Sequence, residues 1–275
     1  TRIEWLIGMV EPRINVIDVI VKLLPDGSIW ALLIAFAVFI KASFIIRCRF
    51  GWLCLIYLIP FSLSLLELNA LRSAVASLVL LTAINLVCRC QYRLSLLVVI
   101  TSILFHTQCI FHVLIFCFCL SIPVAKRSLG LISFMSLLVY IICLNMVDLL
   151  ASFGGPRYTT YIVQAMGGLY TGASGLKLTA IICLLFALFF FFYFNSIPSG
   201  DSPLRRICMF AYALTLYNSI LILGSGPLSI IGDRTFAITF IIATYSLLLL
   251  LDSGPTIILP LGSLFFVICL ISSFY

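Results

Sequence analysis

Three arginines in this sequence are placed where chemistry could follow. Arg72 lies in "ELNALRSAVASLVLL", Arg157 in "FGGPRYTTYIVQAMGGLYTGASGLK" and Arg234 in "SGPLSIIGDRT". They come from three separate segments at the edges of apolar runs, and lysine is nearly absent from the group. A guanidinium is planar, permanently charged and able to hold two oxygens at once, which suits a diphosphate. The pattern predicts a cavity for a phosphorylated lipid. The chain's two histidines, His106 and His112, both fall within "VVITSILFHTQCIFHVLIF", which otherwise reads as lipid-soluble helix. Ionisable groups at membrane depth are costly unless they line a protein-walled cavity, so each is a site hypothesis.

The elements that must position these groups are set by composition. Of 275 residues, 64% are hydrophobic and 9% charged, whereas soluble chains carry about a quarter charged residues. Mean hydropathy is +1.29. Apolar runs recur from end to end and strict alternation is absent, so an outer-membrane barrel is excluded in favour of helices. The expectation is an all-α, polytopic integral membrane protein. Residues 1–275 form a single membrane domain, with about 8–10 transmembrane or re-entrant helices and a cavity on the external face. Thr1 opens the sequence where a methionine would be expected, and the N-terminus reads as incomplete. Residues 1–27 read as an external loop with a short interfacial helix, because Val16, Ile17, Val19, Ile20, Leu23 and Leu24 share it with Asp18 and Lys22. Cysteines within the apolar runs read as small hydrophobes. Cys88 and Cys90 lack the spacing and partners of a zinc site, and no metal or other cofactor is expected.

Membrane helices are expected over residues 28–46, 51–67, 72–88, 131–147, 177–194, 207–224, 236–251 and 256–274. Between the third and fourth lies a 32-residue stretch, 94–125, too long for one crossing and too short for two of about 20 residues each. Basic residues decide between readings, because cytoplasmic loops collect Lys and Arg. If 94–125 enters and returns as a re-entrant hairpin, Lys41, Arg47, Arg49, Arg89, Arg93, Lys126, Arg127, Arg205 and Arg206 share one side with only Asp201 and Asp252. On the other side, basic and acidic residues balance. That side is external, and it receives all three site arginines and the hairpin tip near His106.

Each external candidate has a plain alternative. Glu11 serves the site or is a solvated loop carboxylate. Arg72 serves it or snorkels to the interface, with Asn69 as a helix cap. Asp233 and Arg234, expected just before helix 236–251, face the site or pair with each other. The external loop 152–177 is too long to be a simple connection, and its Arg157, Tyr158 and Tyr161 suit a sugar or lipid-headgroup pocket. Six residues separate the histidines, about 240° of helical rotation, so they do not share a face. His112 reads as a hydrogen-bonded packing residue and His106 as the one facing the arginines.

"EPRINVIDVIVKLL", "LRSAVASLVLLTA", "ILFHTQCIFHVL", "GGPRYTTYI" and "IIGDRTFAI" occur in an order that resembles the EpsG-like branch of the Wzy-type O-antigen and exopolysaccharide polymerases. The motifs are short, their order is the specific part, and they span Glu11 to about Leu251. Arg13 departs from the pattern, where a glycine often follows the Glu-Pro. The resemblance implies a metal-independent membrane glycosyltransferase of the bacterial inner membrane with its active site facing the periplasm. Such an enzyme moves a glycan from undecaprenyl diphosphate to the non-reducing end of a new lipid-linked repeat. Arg72, Arg157 and Arg234 would hold the diphosphate and stabilise the leaving charge. His106 would be the general base, with Glu11 as runner-up. Tyr158, Tyr161, Asp233 and Asn69 would contact substrate. The implied partners are the undecaprenyl-diphosphate-linked oligosaccharide, membrane lipid and a chain-length regulator protein, with no nucleic acid. The competing readings are a transporter or flippase of lipid-linked sugars, an O-antigen ligase, and a non-catalytic partner in polysaccharide assembly.

Overall fold

The computed structural model describes residues 28–48, 51, 71–106, 109–145, 178–197, 200–223 and 227–253. These residues are all helical apart from short turns. In chain order the helices are α1 (Ser28–Ile46), α2 (Leu71–Cys88), α3 (Tyr92–Phe105), α4 (Cys109–Ser121), α5 (Lys126–Asn145), α6 (Leu178–Ser196), α7 (Pro203–Leu223) and α8 (Pro227–Ser253). The stretch 94–125 is two short helices broken at His106. The expected helices 51–67 and 256–274 and the loops 1–27 and 152–177 lie outside the described residues.

Local chemistry explains where the helices begin and end. Ser202 caps α7, its hydroxyl accepting the Arg205 N–H at 3.3 Å, and Pro203 occupies the first helical position, where no N–H is needed. The turn after α2 closes with Cys90 N–H to the Val87 carbonyl and Gln91 N–H to the Leu86 carbonyl, both 2.9 Å. That pair of bonds needs a left-handed residue at Cys90, which has φ 59°. His106 is extended, with φ −150° and ψ 114°. Its N–H still reaches the Ser102 carbonyl, while its carbonyl accepts the Cys109 N–H that starts α4.

α7 is the central post. Its residues from Ile207 to Thr215 are all buried, and it packs against α6, α8, α5, α4 and α2. The contacts fix the direction of every helix. Asn218 and Thr235 join the end of α7 to the start of α8, and Tyr193 near the end of α6 bonds the Leu250 carbonyl near the end of α8. Ser95 bonds the Ala83 carbonyl across the α2–α3 turn, and Phe44 of α1 meets Tyr245 of α8. Arg206 bonds the Leu120 carbonyl at the end of α4 and stands over Tyr92 at the start of α3. Both feet of the α3–α4 hairpin therefore meet one side chain. All helices run between two ends, a base containing Cys88, Tyr92, Lys126 and Arg206, and a tip containing Leu71, His106 and Pro227.

Among the described residues, three helices are long and apolar enough to cross a membrane: 179–196, 203–223 and 235–252. The outer face is strongly apolar, with Phe39 72%, Phe192 66% and Leu97 64% exposed. Outward-facing hydroxyls turn back to their own helix, as Thr101 does to the Val98 carbonyl and Ser121 to the Cys117 carbonyl. A side chain that water would otherwise solvate is thus satisfied internally.

Candidate functional site

The two ends differ first in charge. Lys41, Arg47, Arg89, Arg93, Lys126, Arg127, Arg205 and Arg206 all stand toward the base, whereas Arg72 and Arg234 are the described basic residues toward the tip. Arg72 occupies the first turn of α2 and His106 the break between α3 and α4. Asp233 and Arg234 correct the sequence reading. They lie inside α8, in its second turn, because the helix starts at Pro227 rather than near 236. Proline at the first position favours that start. Gly232 does not break the helix but permits close packing: a Cβ there would lie 2.7 Å from both the backbone nitrogen and Cγ1 of Ile222 in α7.

Helical counting relates these positions in depth. α4 and α8 run in the same direction, and His112 Nε2 lies 3.3 Å from Thr239 Oγ1. One turn toward the tip from His112 is Cys109, which is hydrogen-bonded to His106. Four residues toward the tip from Thr239 is Thr235, next to Arg234. α2 also runs with α8, and Cys88 lies near Tyr245. Counting back equally along both helices puts Arg72 level with Ser229, about 7–8 Å along the axis from Arg234. Arg72, His106, Asp233 and Arg234 thus share one end, with Arg72 more than a turn nearer the tip than Arg234. Glu11, Asn69, Arg157, Tyr158 and Tyr161 lie outside the described residues, so much of the expected external cavity's lining does too.

Directly beneath this layer runs a buried polar seam that sequence reading largely missed. Thr235 donates to Asn218 Oδ1 at 2.5 Å, and Asn218 Nδ2 donates to Cys183 Sγ at 3.6 Å. One turn deeper, Thr239 meets His112, which is 1% exposed. The seam joins α4, α6, α7 and α8. Its sequence signals are His112 within an apolar run and the spacing of Thr235 and Thr239, four apart and so on one helix face. Asn218 and Cys183 carried no signal, because their pairing exists only through α6–α7 packing.

At the base, Arg206 holds Asp201 with two bonds, Nε to Oδ1 at 2.7 Å and Nη2 to Oδ2 at 2.6 Å. Its Nη1 donates to the Leu120 carbonyl at 2.9 Å. Burial beside Asp252 and Cys88 pushes the Cys48 thiol up to about 11, burial being the larger cause. Among the described residues no group of three His, Cys, Asp or Glu side chains could hold a metal ion.

No protein-family model, no curated protein and no solved structure matches the chain.

Proposed function

We propose that this chain is a multi-pass protein of the bacterial inner membrane that polymerises polysaccharide at its tip end, facing the periplasm. The observation that carries the reading is that Arg72, His106 and Arg234 all lie at the end of the bundle opposite the basic base. Basic residues on the external side are not needed for orientation, which favours a ligand as their use. The apolar outer face and internally satisfied hydroxyls support the membrane setting.

In this reading the donor is a glycan on undecaprenyl diphosphate, and its two phosphates lie among Arg72, Arg157 and Arg234. His106, or Glu11 in its place, takes the proton from a non-reducing-end hydroxyl of the acceptor repeat. That oxygen bonds the anomeric carbon as the carbon–oxygen bond to the diphosphate breaks. The electron pair leaves with the diphosphate, where preorganised guanidinium groups stabilise it. Asp233, Asn69, Tyr158 and Tyr161 orient sugar and headgroup. The scheme calls for no nucleotide sugar and no cofactor, and a chain-length regulator is the protein partner it accommodates. An O-antigen ligase would share every step and differ in acceptor alone.

The deciding assay gives purified protein in nanodiscs a lipid-linked repeat unit and resolves the products by gel. A ladder of added repeats, formed without a lipid-A-type acceptor, supports the polymerase. The buried seam of His112, Thr239, Asn218 and Thr235 favours a second reading, a transporter of lipid-linked sugars, because carriers place polar groups inside the bundle. Translocation with no new glycosidic bond would select that reading and reject the first.

A further inference from the structure

The base holds two adjacent arginines in opposite circumstances. Arg206 has its carboxylate, a backbone carbonyl and the Tyr92 ring. Arg205 is 3% exposed. Its guanidinium carbon lies 4.3 Å from the centre of the Phe194 ring. Nη1 makes one long bond, 3.4 Å, to the Gly200 carbonyl, and Nε is enclosed with no hydrogen-bond partner. The carboxylate nearest in sequence, Asp201, is taken by Arg206, and no described carboxylate pairs with Arg205. A guanidinium carries five N–H donors and a charge that cannot be shed by deprotonation. Burying it without a counter-charge is costly, and one ring face recovers only part of that.

The position of this cation gives the missing group a character. Arg205 is the third residue of α7, and its reach back to Gly200 keeps the guanidinium at the helix N-terminus, beside the Ser202 cap. The first turn of a long helix presents positive backbone dipoles to the same spot. The guanidinium and the helix N-terminus are therefore neighbouring positive elements, and no described carboxylate pairs with Arg205. Exposed Arg93, Lys126 and Arg127 stand at the same end, where they concentrate anionic headgroups. Phe191 and Phe192 expose apolar surface on the neighbouring α6.

We propose that Arg205 and the N-terminal turn of α7 form a binding site for a phosphate group, carried by an anionic phospholipid of the base-side leaflet. The site rests on the membrane reading alone and is independent of any catalysis at the tip. Retention of the chain in carbonate-washed membranes tests that setting separately. The test is thermal unfolding of the purified full chain in neutral detergent with phosphatidylglycerol, phosphatidylcholine or inorganic phosphate added. Phosphatidylglycerol should raise the midpoint by about 3 °C, phosphatidylcholine should not, and Arg205→Met should remove the response. Should Arg205→Met fail to fold, Arg205→Lys serves in its place, since it keeps the charge but loses the planar fork and should weaken the response. A rise with inorganic phosphate equal to that with phosphatidylglycerol, lost on substitution of Arg205, assigns the same site to free phosphate. No rise with either phosphate source, an equal rise with phosphatidylcholine, or an undiminished rise in the Arg205 variant would overturn the proposal.

Discussion

The base and the tip of this bundle treat charge in contrary ways. At the base, basic residues are numerous, most are exposed, and Arg206 is tied into a local network with Asp201, Leu120 and Tyr92. At the tip only Arg72 and Arg234 are described, each on a helix rather than in a loop, with His106 at the same end. Under the proposed orientation the exposed charge at the base serves to orient the chain, while Arg206 is held by its own network. Among the described residues charge at the tip is sparse, and under the proposed function its loss should not be made good by a neighbour. The first way to break the contrast is a matched pair of variants. Arg234→Ala should lower polymerisation by about 100-fold or more, the usual cost of removing one preorganised charge stabiliser, while Arg127→Ala at the base should stay within about twofold. Membrane levels of both variants should match the parent protein. Equal losses would show that the two ends do not divide the work.

Thiol labelling tests the sidedness of the same contrast. Cys90 is exposed at the base, whereas Cys48 at the same end is buried with its thiol pushed up to about 11. The thiolate is the reactive form and is lost as pH falls below the pKa, so at pH 8 about one Cys48 in a thousand is reactive. A membrane-impermeant maleimide should label Cys90 only after cells are opened, and Cys48 at least about 100-fold more slowly. Labelling of Cys90 in intact cells would invert the assigned orientation.

Helix positions were legible because long apolar runs announce themselves by length and composition. α1, α2, α6 and α7 fall within a few residues of the expected runs. A break near His106 is expected because 32 residues fit neither one crossing nor two and the basic residues favour a hairpin; α3 and α4 are indeed separate helices. The start of α8 was misjudged, because Gly232 and Asp233 look like a loop until Ile222 is seen packed against the glycine. The polar seam was legible only in part. His112 read as a hydrogen-bonded packing residue, but its partner Thr239 lies 127 residues away. Arg205 and Arg206 read as one basic pair, yet only packing decides that one faces Asp201 and the other Phe194. Side chains that owe their role to a distant helix leave little local trace.

Gly232 turns that lesson into a stability measurement. Any Cβ at this position meets the α7 backbone at 2.7 Å, and backbone cannot swing aside as a side-chain tip would. Gly232→Val should cost about 3 kcal/mol, the upper end for overpacking, seen as a lower unfolding midpoint and loss of protein from membranes. A smaller loss is expected from cutting the base network. Arg206→Ala removes the double bond to Asp201 and the tie to Leu120, and should cost about 1–2 kcal/mol given the partial exposure of the pair. Asp201→Asn leaves the Leu120 bond in place and should cost less.

The smallest change should have the opposite sign. Gly130 lies within α5 near the base, exposed, and a Cβ there meets nothing within 4 Å. A helical glycine pays backbone entropy for no gain in packing, so Gly130→Ala should stabilise the chain by about 0.5–1 kcal/mol. The two glycines have the same residue type and the same secondary structure, and they differ only in what stands opposite them. At Gly232 the neighbour is another helix at close approach, which sets the α7–α8 spacing near Arg234. At Gly130 it is the surroundings of the bundle. If Gly130→Ala lowers the midpoint as Gly232→Val does, α5 has a partner at that surface, and the base is more tightly built than its exposed charges imply.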